Sequence, residues 1–294
     1  MLDVVLAPAG ELEVGTDVTG RVALVQGGSA ANTARWLGRL GARATLISVV
    51  GRDATGRALV DAVRGDGVVV RATRVARART GRIGVLVSPD GERSFIADRG
   101  AADLLEPRDL KAAWFAGAQA VHLPVYSLLG SPLGDAGRRA IELGRAAGAV
   151  ISVDLASIGP LLANGRKAAA GLIASASPDI LFATAAETSA LVGRDGAVGL
   201  LAFSPIAVVK RGAQGATVVA RTGDEWLRFE VATKPVAATD TTGAGDAFDA
   251  GFLVGWFAAY SGRSVPAALH RAVLSGHRAA ARQLATTRPE LSFD

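Results

Sequence analysis

The sequence predicts an α/β fold: a doubly wound, mostly parallel sheet flanked by helices, with a small β-sheet layer beside it. Three observations carry this. Apolar runs of strand length alternate with stretches of helical length and spacing over most of the chain. The turns between them are short, which suits strand–helix–strand units and a parallel sheet. Two segments, 12–26 and 68–99, lack helical periodicity and read as extended chain that builds the second layer.

Taken in order, residues 1–11 are assigned to the start of the large domain and 12–26 to the small sheet. Gly27 and Gly28 open a helix, 31–40, that ends at Gly41. "ATLISVV" (44–50) is a buried strand. The segment 68–99 returns to the small sheet and contains "RIGVLVSPDGERSF", where Pro89, Asp90 and Gly91 signal a turn between two strands; an edge hairpin of the main sheet is the alternative. Strands follow at 118–123, 150–154, 180–183 and 206–210, separated by helices at 107–116, 133–147 and 184–192. The chain closes with helices at 247–259 and 265–284. The large domain is thus 27–67 plus 100–294, and ligands are expected at the carboxyl ends of its strands.

Composition narrows the function. Half of the 294 residues are hydrophobic and only 5% aromatic, so a large core of Ala, Val and Leu is available. The absence of cysteine excludes disulfides and thiolate metal sites. His270 and His277 share a helix with no third ligand, and with His122 they read as ordinary helix and strand-end residues. The net charge of +5 suits an anionic small substrate. The one dense basic cluster, Arg71, Arg74, Arg77, Arg79 and Arg82, has no interleaved aromatic for base stacking, and no nucleic-acid partner is expected. Residues 1–10 lack a secretory signal and no apolar run approaches the roughly 20 residues of a membrane span. A cytoplasmic protein with no membrane partner is the expectation.

Four stretches carry chemistry. In "QGGSAANTARWLGRLGA", Gly27 and Gly28 either allow close backbone approach of a polyhydroxylated ligand, to which Ser29 and Asn32 offer polar groups, or form a plain glycine turn before a helix cap. In "GRDATG", Gly51 and Asp53 follow a strand, and Asp53 is either a ligand contact or a helix N-cap. In "VVKRGAQGATV", Lys210, Gly212 and Gly215 follow another strand and either border a nucleotide or connect two strands. In "TDTTGAGDAFDAGFLVGW", Gly243, Ala244, Gly245 and Asp246 read as the start of a helix, whose free N–H groups and dipole attract an anion. Asp246 is then either a capping carboxylate or a base beside that anion. Asp249 reads as a first-turn acid.

No dinucleotide-binding G-x-G-x-x-G and no P-loop are present. The order and spacing of the four stretches resemble those of the ribokinase-like, or PfkB, family of carbohydrate kinases, over nearly the whole chain. The resemblance implies a central α/β sheet with a β lid that closes over the sugar. It also implies ATP and Mg2+ as cofactors and a sugar or sugar-like acceptor: ribose, a fructose-type sugar, 2-keto-3-deoxygluconate or a nucleoside. Amides at 243–246 would stabilise the transferring phosphoryl group, and Asp246 would take the proton from a hydroxymethyl group. Asp3, Gly27, Gly28 and Asn32 would contact the sugar. Apart from the resemblance, Arg99 in "ADRGAAD" is either a contact to an acidic group on a sugar acid or a surface arginine beside Asp98. Thr184, Glu187, Lys210, Gly212, Gly215, Gly243 and Gly245 would border the nucleotide. Glu187 would act on Mg2+ indirectly, and Asp240 and Thr242 match positions that hold a monovalent cation, K+, in some members. A homodimer through the lid is a further implication.

Two departures stand out. Members begin with a complete apolar strand before the early aspartate, whereas this chain starts almost at Asp3; either the first strand is truncated or a central strand is missing, with another segment in its place. The family's Asn-x-x-Glu appears as Thr184-Ala185-Ala186-Glu187. The departures motivate a second reading, a catalytically weakened sugar- or nucleotide-binding relative; a basic nucleic-acid binder is a third.

Overall fold

The computed structural model of the chain describes residues 1–12, 14–88, 93–238, 240–260 and 265–293, with Tyr260 described through its backbone alone. The turn expected at Pro89, Asp90 and Gly91 lies outside the described residues, as does Thr239 of the late motif. The chain divides into two compact units.

The first unit holds Met1–Leu105, Ala237–Ala244 and Arg282–Asp294. It carries β1 (Leu2–Pro8), β2 (Gly20–Gln26), α1 (Ser29–Arg39), β3 (Thr45–Gly51), α2 (Ala54–Gly65), β4 (Val69–Val75), β5 (Arg82–Val87) and β6 (Arg93–Asp98). A four-stranded sheet runs β2-β1-β5-β6, with β1 antiparallel to β2 and parallel to β5. Residues 1–11, expected in the large domain, therefore supply a central strand of the small sheet. The stretch 68–99 also divides. Its β5 and β6 join that sheet, but β4 pairs in parallel with β3 instead. The helix α2 between β3 and β4 explains this, since parallel neighbours need such a crossover. Ala34 of α1, Ala44, Leu46, Val63 of α2 and Val68 form a small apolar core here.

The second unit holds Glu106–Val236 and Gly245–Ala281. Its elements are β7 (Ala120–Pro124), α3 (Leu133–Ala146), β8 (Val150–Asp154), α4 (Ile158–Leu162), α5 (Arg166–Ala176), β9 (Ile180–Thr184), α6 (Ala185–Val192), α7 (Gly196–Gly199), β10 (Ile206–Lys210), β11 (Ala216–Thr222) and β12 (Glu225–Val231), with most of α8 (Ala244–Tyr260) and α9 (Val265–Leu284). The sheet order is β12-β11-β10-β9-β8-β7, parallel from β7 to β10 and antiparallel from β10 to β12.

Alternation along the strands builds a core on each face of this sheet. Leu181, Ala183, Ala207 and Val209 face a core that includes Ile141 of α3 and Ile173 of α5. Ile180, Phe182 and Val208 face Phe252 and Trp256 of α8 and Leu269 of α9. The helix expected at 107–116 is two short 3-10 turns, Pro107–Asp109 and Ala112–Trp114, interrupted by extended backbone at Leu110 (φ −87°, ψ 130°). Among the described residues no helix is long and apolar enough to cross a membrane.

Candidate active site

In the first unit the two ends of the sequence motif meet. Gly243 precedes α8 with φ +78°, a conformation that side chains with a Cβ rarely adopt. A Cβ at this position would lie 3.5 Å from Asn32 Nδ2 and 3.6 Å from Gln283 Nε2, so the late glycine sits beside the early asparagine. Asn32 is in the opening turns of α1, its N–H bonded to the carbonyl of Gly28 at 2.9 Å. Gln283 braces this corner, accepting from Trp36 Nε1 and donating to the Thr242 carbonyl, both at 2.9 Å. A cleft lined by Asn32, Trp36, Thr242, Gln283, Thr287 and Arg288 opens here.

Asp3 and Gly27 are equally close. A Cβ on Gly27 would fall 1.8 Å from Asp3 Oδ1, so only glycine fits against that carboxylate. Asp3 is buried; its Oδ2 accepts from Arg288 Nη1 at 2.8 Å, while Oδ1 has no hydrogen-bond partner. Burial pushes the Asp3 carboxyl up, against the pull of Arg288.

Asp240 and Thr242 are ringed by N–H donors. Arg93 Nη1 donates to Asp240 Oδ1 at 3.0 Å and to Thr242 Oγ1 at 2.6 Å, and its Nη2 donates to Thr241 Oγ1. Arg288 Nε donates to Asp240 Oδ2 at 3.0 Å, and the Thr242 N–H to Oδ1 at 2.8 Å. Burial alone would raise the Asp240 carboxyl, but the Thr242 hydrogen bonds and Arg288 hold it below the ordinary value.

Other early candidates have local partners. Arg99 pairs with Asp103 one helical turn on, while its neighbour Asp98 pairs with Arg79. Asp53 is the N-cap of α2, accepting from the Gly56 N–H at 2.7 Å, and it also binds Thr80.

The second unit gathers charge at the carboxyl ends of β8, β9 and β10, where α/β sheets place ligands. Asp154 and Lys210 end their strands. Lys210 Nζ donates to Asp154 Oδ1 at 3.0 Å and to both oxygens of Asp249 at 3.1 Å. Burial would lower the Lys210 ammonium, but Asp154 and Asp249 outweigh it and push it up. A Cβ on Gly245 would lie 3.4 Å from Lys210 Nζ, which places the ammonium under the first turn of α8. Half-buried Asp246 belongs to that same turn.

Thr184 and Glu187 form a capping box on α6: Thr184 Oγ1 accepts from the Glu187 N–H at 3.2 Å, and Glu187 Oε2 from the Thr184 N–H at 2.7 Å. Burial, then Asp154, pushes the Glu187 carboxyl up. Gly215 (φ +86°) packs so tightly that a Cβ would meet the Val231 carbonyl at 2.1 Å, whereas Gly212 (φ +56°) faces open space. Of these two glycines, Gly212 alone has open space where a Cβ would stand. Among the described residues no cluster of three His, Cys, Asp or Glu is arranged for a metal; Asp154 and Asp249 face a lysine instead.

The sequence reading left out Arg93, Gln283 and Arg288, which stand beside the candidate residues of the first unit, and Asp154 and Asp249, which hold Lys210 in the second. Asp154 and Lys210 could have been paired as the last residues of two strands in one sheet. Asp249 could have been noticed as an acid in an otherwise apolar helix run.

A family model described as pfkB family carbohydrate kinase matches residues 1–290. A fructokinase of Klebsiella pneumoniae is 32% identical over 252 residues, 81% of this chain and 79% of the relative. An ATP-dependent ribose-1-phosphate kinase of Halopiger xanaduensis is 32% identical over 232 residues, 78% and 73% of the two chains. The crystal structure of adenosine kinase from Sinorhizobium meliloti superposes with a TM-score of 0.81 at 26% identity, covering 100% of this chain and 94% of that one. The expected ribokinase-like α/β fold is thereby established, and the chain belongs to the pfkB family of carbohydrate kinases.

Proposed function

We propose that the enzyme transfers the γ-phosphoryl group of ATP to a primary hydroxyl of a sugar or of the sugar part of a nucleoside. The observation that supports this best is the meeting of the two motifs: Gly243 lies beside Asn32, immediately before the helix turn that carries Asp246. Phosphoryl transfer needs positioning and charge stabilisation more than covalent chemistry. Amides at 243–246 supply N–H groups at a helix N-terminus for the transferring group. Asp246 is the base, accepting the hydroxyl proton as the new P–O bond forms and the bond from the γ-phosphorus to the bridging oxygen breaks, releasing ADP. Asn32 and Asp3 would hold acceptor hydroxyls. The buried, unpartnered Oδ1 of Asp3 is an acceptor that a hydroxyl donor would satisfy.

On the nucleotide side, Lys210 places fixed positive charge beneath the first turn of α8, and Gly212 lets a ligand approach the backbone. A magnesium ion carried by ATP keeps several waters and needs only one or two carboxylates. Glu187, buried in the first turn of α6 within electrostatic reach of Asp154, is the carboxylate that would fit; when bound, the ion would offset phosphate charge. Thr184 replaces the amide expected there and uses its hydroxyl oxygen as a helix cap.

The relatives' names set the acceptor panel of fructose, ribose 1-phosphate and adenosine, with ribose and 2-keto-3-deoxygluconate added from the sequence expectation. ADP release measured with each should rise at least about tenfold over the acceptor-free rate for one class. No acceptor-dependent release from well-folded enzyme would overturn the reading.

The small sheet also supports self-association. By strand register, Val4, Leu6, Val22, Leu24, Leu86 and Ile96 share one face, and Ile96 is 80% exposed and Val22 63%. An apolar sheet face of this kind suits a second copy of the chain.

A further inference from the structure

We infer that Arg93 and Arg288 are positioning residues that take the place of a bound monovalent cation at residues 240–242, so that this kinase works without K+. Asp240 and Thr242 are the residues at which the family resemblance puts such a cation, and their oxygens do not fit one. Asp240 Oδ1 already accepts from Arg93 and from the Thr242 N–H, and Oδ2 from Arg288. Thr242 Oγ1 accepts from Arg93, and the Thr242 carbonyl from Gln283. Every one of these oxygens thus faces an N–H hydrogen. A bare cation would have to share oxygens that already accept hydrogen bonds, Asp240 Oδ1 with both lone pairs taken, and it would approach two guanidinium groups as well. Those groups are 19% and 12% exposed, so water and salt screen them poorly.

The substitution also has a geometric result that a diffusible ion would not give. A planar guanidinium reaches several oxygens at once in fixed directions. Arg93 does so from β6 of the small sheet and grips all three of Asp240, Thr241 and Thr242. Arg288 spans Asp240 and Asp3. Together they hold the three residues that precede Gly243 and brace the corner where that glycine meets Asn32. The inference rests on the proposed kinase reaction, in which the turn at 243–246 receives the phosphoryl group.

Two measurements test it. Thermal shift of the wild-type protein in KCl against choline chloride at equal ionic strength reads cation binding without needing turnover. The melting temperatures should agree within about 1 °C, and a rise of more than about 2 °C specific to K+ would overturn the inference. Acceptor-dependent turnover in the same two salts should agree within about twofold, whereas stimulation beyond about fivefold by K+ would overturn it. The double variant R93Q/R288Q, with a wild-type circular dichroism spectrum, should gain a K+ response of at least about threefold in turnover. A folded double variant indifferent to K+ would refute the assignment. If the wild type shows no turnover with any acceptor, the kinase reading fails while the thermal-shift result still decides the cation question.

Discussion

Each compact unit carries one carboxylate clamped by cations or a cation near the motif at 240–249, and the two clamps are built in opposite ways. In the first unit Asp240, with 44% of its side chain exposed, is met by two arginines and by the Thr242 N–H. In the second, Asp249 is fully buried and shares one lysine with Asp154. The exposed clamp spreads fixed hydrogen bonds over a loop and orders it. The buried clamp concentrates opposite charge in a place where either partner alone would be costly. Geometry is the product of the first, and a fixed cation under a helix start is the product of the second.

The comparison breaks most directly at Lys210. Lys210→Met leaves Asp154 and Asp249 buried without their cation and should destabilise the fold by about 3–5 kcal/mol, read from urea unfolding. Removing Arg93 should change stability less, because its partner Asp240 is 44% exposed and stays partly solvated and paired with Arg288 when the arginine is gone. Equal losses in the two variants would erase the distinction.

The same contrast has opposite signs on the pH axis. The Lys210 ammonium is pushed above its ordinary 10.5 in the folded protein, so its contribution is fully present below that value and is lost as pH rises through the folded value. Asp240 is held below its ordinary 3.8, so its contribution is present above that value and is lost as pH falls through the lower folded one. Melting temperatures across pH should therefore show an alkaline loss that shrinks in Lys210→Met and an acid loss that shrinks in Asp240→Asn. The acid effect should be the smaller, since Asp240 is partly solvated. Unchanged profiles in both variants would contradict these assignments.

The smallest effect concerns the apolar face of the first unit. Ile96→Lys should shift the protein to a smaller species in analytical ultracentrifugation while its melting temperature changes little. A wild type that sediments as a monomer at all concentrations would remove the dimer from the account.

Much of this was legible in the sequence because it is local. Glycine, asparagine and aspartate at motif spacing announced the helix starts at α1 and α8, and apolar alternation announced β8, β9 and β10 within a residue or two. The clamps were not legible, because their partners are distant in the chain. Arg93 and Asp240 are separated by 147 positions, and Lys210 and Asp154 by 56. Asp249 looked like any acid in the early turns of a helix, where the dipole welcomes charge. Only packing shows that it points away from solvent onto Lys210. Likewise "LDVV" has the composition of a strand but does not reveal which sheet it joins; pairing with β2 and β5 decides that.

The central claim is that Asp246 accepts the hydroxyl proton beside a phosphoryl site formed by residues 243–246. Asp246→Asn preserves size and shape while removing the base, one acceptor oxygen becoming an N–H donor. With the acceptor identified, kcat of this variant should fall at least about 10²-fold while calorimetric binding of ATP and acceptor stays within about threefold of wild type. A variant that binds both ligands and turns over at near the wild-type rate would contradict the account.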